Sequence, residues 1–322
     1  MQADIDALMD GDLGQWLTDQ QAMRAAAKAK AHKRWLIGAI ALVPLLAILW
    51  LGVGWSQDLR FMISAIAAGG VFAWGQAPIQ AAKKAMKIGI NSAIAASLGL
   101  AYEHDVERGP AFDLARSYAL LPSYDRRNLE DRWYGTLDGH GFDLFEAHLE
   151  EERGSGKNRR HVTVFRGAVI ALGFGRPFHS TTLLQRAGKH RKWFGLGGRA
   201  DHVNFDGHRL DYVDQVHPVF EDVFELWSDD QVEARVLVHP SYVEHLLEVE
   251  NAFDGDAVRA LFIRGEVLIA VESGNMFESG SMKASEDRAR VEQAARQFGA
   301  IAGLARAINQ NERGRVVGPI SS

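Results

Sequence analysis

The chain has 322 residues, 36 basic against 41 acidic, a net charge of −5 at neutral pH and no cysteine. That length exceeds one average domain and suits an anchor plus one large or two small modules. The charge balance argues against nucleic acid as a partner, and the missing cysteine excludes a disulfide framework, a cysteine-ligated metal site and a thiol nucleophile.

A mean hydropathy of −0.14 resembles that of a soluble protein, yet the apolar residues are concentrated early. Residues 1–34 are expected to form an N-terminal helical segment in which Leu13, Trp16, Leu17 and Met23 share a stripe. From Trp35 to Gln57 no residue is charged, and an apolar stretch of about 20 residues crosses a hydrocarbon core as a helix. Trp35 sits at one end of it and Trp50 and Trp55 near the other, where indoles prefer the headgroup layer. A second uncharged stretch follows the SQDLR connection, and the second span is placed at about 60–77. Its Ala65, Ala68 and Gly69 offer surfaces small enough for close helix approach. The apolar run begins too late and is too long for a cleaved signal peptide.

Orientation follows the basic residues. Arg24, Lys28, Lys30, Lys33 and Arg34 precede the first span and Lys83, Lys84 and Lys87 follow the second, while the connection carries Arg60 beside Asp58. Positive residues stay inside, so the reading is a multi-pass inner-membrane protein with both termini cytoplasmic.

The region 78–310 reads as a cytoplasmic α+β domain, an antiparallel sheet with flanking helices, followed by a polar tail at 311–322. A helix is expected to continue to about 103, and a short one to open at Pro110 and close at Pro122. From Leu129 the period becomes that of strands, and a four-strand meander fits 130–186. Further strands are expected in RLDYVDQVHPVFEDVFELW. Capping boxes at Ser228/Gln231 and Ser241/Glu244 mark two helices. AVRALFIRG and EVLIAVESG form a hairpin turning at Gly265, and a last helix runs over about 284–310.

Three clusters carry the candidate chemistry. Asp229, Asp230, Glu233 and Arg235 form a charged cluster, read as a structural cap with an Arg–carboxylate pair. Asp201, His202, Asp206 and His208 place oxygen and imidazole donors in one loop, but no zinc signature is present and the loop is read as solvated. Arg186, Lys189, Arg191 and Lys192, leading into Trp193 and Phe194, suit contact with anionic lipid headgroups or another membrane protein. No catalytic motif, metal site or cofactor site emerges. The reading is therefore a membrane-tethered, non-enzymatic interaction or sensor module; the alternative is a membrane-bound hydrolase or metal-dependent enzyme using the acidic and histidine residues.

VTVFRGAVIALGF at 162–174, VFEDVFELWSDDQVEARVLVHPSYVEHLL at 219–247 and MFE at 276–278 resemble a bacterial membrane-protein family of unknown function, domain of unknown function 3137. The resemblance implies a membrane-anchored cytoplasmic domain and brings no activity, cofactor or catalytic residue.

Overall fold

A computed structural model of the protein describes residues 5–310 apart from 53, 119, 138, 176, 188–200, 206, 215–222, 239 and 275. The chain divides into two compact units, one of Asn91–Glu278 with the chain from Gln293, the other of Asp4–Ile90 with Ser279–Glu292.

In the second of these units, a short helix α1 (Ile5–Asp10) precedes two long ones, α2 (Asp12–Leu51) and α3 (Gln57–Ser97), the latter belonging to this unit as far as Ile90. Both are long and apolar enough to cross a membrane. Pro44 and Pro78 lie within them without ending either. Glycine lets them approach. A Cβ on Gly38 would lie 2.3 Å from the Val71 side chain, and one on Gly75 1.9 Å from the Trp35 indole. Trp35 stacks on Phe72, and Trp50 Nε1 donates to Ser64 Oγ at 3.2 Å. Outward, Leu36, Ile40, Val43, Ile48, Phe61, Ile66 and Phe72 are all more than half exposed.

Near the other end of the pair the unit is sealed differently. The Trp16 indole lies against Gly89. The segment from Ser279 returns beside α3, where a Cβ on Gly280 would strike the Lys83 carbonyl at 2.3 Å. Arg24 then donates to both oxygens of Asp287 at 2.8 and 2.6 Å, with both residues buried. A doubly hydrogen-bonded buried pair is geometrically strict, and leaving either charge alone is costly.

The first unit is built on one ten-stranded sheet in the order β1-β2-β3-β4-β10-β9-β5-β8-β7-β6. Its strands are β1 (Leu100–Asp105), β2 (Arg126–Leu137), β3 (His140–Arg153), β4 (Arg160–Gly173), β5 (Thr182–Arg186), β6 (His202–Phe205), β7 (His208–Tyr212), β8 (Phe224–Ser228), β9 (Asp256–Ile263) and β10 (Glu266–Glu272). Every pairing among the described residues is antiparallel. Helix α4 (Pro110–Ser117) covers one face, where Phe112 meets Phe145 at 6.1 Å over a core of Leu149, Phe165, Val169, Leu183 and Trp227. On the opposite face Trp133 packs on Phe277 and Phe298, the latter from α7 (Asp287–Gln310). Helices α5 (Gln231–Leu237) and α6 (Pro240–Ala252) lie between β8 and β9 in sequence. The unit is thus α+β with flanking helices.

Three sequence expectations are corrected here. Helix α3 ends at Ser97 rather than 103: Gly99 takes φ +71°, a conformation that terminates helices, and the following alternation pairs as β1 with β2. The meander stops at β4, because β10 pairs with it along Gly167–Gly173 and the β9–β10 hairpin separates β4 from β5. Only glycine fits at 167, where a Cβ would lie 1.9 Å from the Val271 carbonyl oxygen. Finally, Ser228 does not cap α5. It is buried at the end of β8, sharing a hydrogen bond with Thr182 at 2.8 Å.

The Arg24–Asp287 pair supplies a test of the second unit. Asp287→Ala is expected to lower stability in detergent by about 3 kcal/mol, whereas Arg24→Met with Asp287→Leu recovers most of that loss, because no buried charge is left alone. Thermal unfolding of the full chain measures both.

Candidate functional site

Strand β2 does not run regularly. Its register against β3 shifts between Glu130 and Trp133, and Asp131 takes φ +56°. A bulge inserts an extra residue and re-aims its side chain, and Asp tolerates this left-handed conformation better than most residues. The consequence is a fully buried carboxylate, with Asp131 at 0% exposure.

Strand β1, at the sheet edge, supplies the groups that meet it. Tyr102 Oη donates to Asp131 Oδ1 at 2.5 Å, and His104 Nδ1 lies 2.9 Å from the same oxygen. Asn91 Nδ2, in the last turns of α3, reaches Tyr102 Oη at 3.4 Å and donates to the Phe277 carbonyl at 3.2 Å. Burial, then the Asp131 charge and hydrogen bond, push the Tyr102 phenol far above its usual range, so it stays a donor. Glu130 completes the group: ligand atoms of His104, Glu130 and Asp131 all lie within 4.8 Å of one another. Sequence reasoning missed this cluster because its residues, 26 positions apart, are joined only by the β1–β2 register and the bulge.

The charged cluster foreseen in sequence is spent on the backbone. Asp230 accepts from Val232 N and Glu233 N and so caps α5, at 2.9 and 3.0 Å. Asp229 accepts from Thr181 N at 2.8 Å, and Glu233 from Ser180 N and His179 N at 2.6 and 3.0 Å. Arg235 Nε donates to the Asp214 carbonyl at 3.1 Å in place of the expected carboxylate. These bonds pin the chain before β5 to the turn before α5.

Of the basic-aromatic loop, Arg186 is ion-paired with Glu250 and sits over the Phe224 ring. Lys189, Arg191, Lys192, Trp193 and Phe194 lie outside the described residues. In the Asp- and His-containing loop, Asp206 and the His208 side chain are likewise outside them, while His202 opens β6 and Asp201 precedes it.

Fold and site together define a class: an antiparallel-sheet α+β domain accompanied by a pair of long apolar helices. Residues 163–310 match the model of a family described as "Protein of unknown function (DUF3137)". That match covers β4 through α7 and leaves out the long helices and the Asp131 cluster. Among solved structures, the crystal structure of the mycobacterial trehalose monomycolate transport factor A, TtfA, is similar at 12% identity, covering 74% of this chain and 98% of that one, with a TM-score of 0.35. No curated protein matches.

Burial alone would raise the Glu233 carboxyl, but hydrogen bonds from Ser180 and His179 outweigh it and hold the group below the usual carboxylate range. A depressed folded value stabilises above the unfolded value of roughly 4.3 and is lost as pH falls through the folded one. The unfolding midpoint of the wild type is therefore expected to exceed that of Glu233→Gln at neutral pH, with the gap closing between about pH 5 and pH 3.

Proposed function

We propose that α2 and α3 cross a membrane as a helical hairpin, tethering the sheet unit to the cytoplasmic face of the inner membrane, where it serves as a non-enzymatic interaction or sensor module. One observation carries the tether. The most apolar windows of α2 and α3 are only 11% and 6% buried, whereas the core helix of a soluble protein is mostly buried. Leaving each large apolar side chain in water forgoes about 1.5–3 kcal/mol, so this surface calls for a bilayer. Trp35, Trp50, Trp55 and Trp74 stand toward the ends of the apolar stretches, and Arg34 sits over the Trp74 ring. Lys28, Lys30 and Lys33 before the hairpin, with Lys83, Lys84 and Lys87 after it, support the orientation.

The non-enzymatic reading is supported by how the acids of 229–233 are used: each accepts from backbone N–H groups, which suits a structural role better than hydrolysis. The ligand proposed for the module is an anionic headgroup held by Lys189, Arg191 and Lys192 with Trp193 and Phe194. Arg186 contributes less, since its charge is balanced by Glu250.

Cell fractionation tests the tether: the chain is expected in the membrane pellet and released only by detergent. A reporter inserted at 54–56 is expected to be active in the periplasm and one fused after 322 in the cytoplasm. Recovery in the soluble fraction without detergent removes the proposal. For the headgroup, full-length protein in nanodiscs is expected to show slower amide exchange over 186–194 with anionic than with zwitterionic lipid. Lys189→Glu, Arg191→Glu and Lys192→Glu together abolish the difference.

A further inference from the structure

The cluster at the β2 bulge combines imidazole and carboxylate donors that come from two strands and converge on one point. We propose that His104, Glu130 and Asp131 form a binding site for a divalent transition cation of the zinc or manganese type.

Three observations carry it. First, a regular β2 would send the side chains of Glu130 and Asp131 to opposite faces of the sheet. The register shift and the φ of +56° at Asp131 bring both to within 4.8 Å of a His104 nitrogen. Second, the His104 Nδ1 to Asp131 Oδ1 distance is 2.9 Å. Two donors each about 2.1 Å from one cation stand about 3 Å apart at octahedral right angles and about 3.4 Å apart at the tetrahedral angle. At 2.9 Å the pair matches adjacent octahedral ligands and opens by about half an ångström to take a tetrahedral ion, while rotation of the long Glu130 side chain brings in the third. Third, the ligands have the support that metal sites use around them. Tyr102 donates to the Asp131 carboxylate, and Asn91 reaches the Tyr102 hydroxyl while anchored on the Phe277 carbonyl. Such outer contacts fix ligand orientation and tune affinity.

The donor set selects the ion class. One imidazole nitrogen with two carboxylates suits Zn²⁺ or Mn²⁺, whereas copper(I) and iron–sulfur chemistry call for sulfur. Three protein ligands leave at least one coordination position for water or an exogenous ligand.

Full-length protein in detergent, stripped with a chelator and titrated with Zn²⁺, Mn²⁺ or Co²⁺, provides the test. About one equivalent of one of these ions is expected to bind, with a rise in unfolding temperature and, for Co²⁺, visible ligand-field absorption. Glu130→Gln and His104→Gln are each expected to weaken binding by at least about tenfold. Glu130 is only half-buried, so its variant stays decisive if His104→Gln fails to fold. A tyrosine absorbance change on binding, absent from Tyr102→Phe, places the ion beside Asp131. Failure of all three ions to saturate, or affinity unchanged in a folded Glu130→Gln variant, overturns the site.

Discussion

Apolar surface that the chain itself leaves uncovered is the constraint on which the rest of this protein's organisation depends. Two helices of 40 and 41 residues run antiparallel in contact, and glycine at 38 and 75 lets a valine and an indole press against the facing backbone. Most of the surface of their outward residues has no covering protein among the described residues. On the tethering proposed above, a bilayer supplies that cover, and it also accounts for the tryptophans toward the span ends and the lysines beyond them. The same unit closes its polar end with one buried ion pair, Arg24 with Asp287. That device demands strict geometry, which makes it a pin rather than a large source of net stability.

In the sheet unit the governing constraint is continuity of hydrogen bonding. Ten strands share one antiparallel ladder, and at two of its interruptions a polar side chain plays a part. Asp229, Asp230 and Glu233 satisfy the N–H groups exposed where the chain enters β5 and α5. At the β2 bulge the reverse occurs: the interruption turns an acidic side chain into the interior, and Tyr102 and His104 are brought to it. The first arrangement stabilises a turn with acids whose oxygens accept from backbone N–H groups. The second concentrates charge and donors at one buried point, which is why it carries the candidate chemistry.

Several elements were legible because their signals are local. The uncharged stretches, the β2–β3 and β9–β10 hairpins, the helix after Pro240 and the last helix each follow from periodicity and turn residues within a short window. The helix end near 100 was misread because Ile90, Ala93, Ile94 and Leu98 keep helical spacing right up to Gly99, and the strand alternation of Leu100, Tyr102 and His104 is too short to compete. The capping residue of α5 was misread by two positions. Ser228 and Asp230 are both good caps in isolation, and Ser228 is removed from the competition by its bond to Thr182 across the sheet.

The sequence by itself determined the fold class, the two long apolar stretches and the basic residues beside them, because hydropathy and charge along the chain act without reference to distant partners. Only the tertiary structure decided the strand order, which inserts β9 and β10 between β4 and β5, and the meeting of Tyr102, His104, Glu130 and Asp131. Both depend on pairing between segments far apart in the chain. A one-residue shift in such a register changes which face a side chain occupies, and no local pattern of residues encodes it.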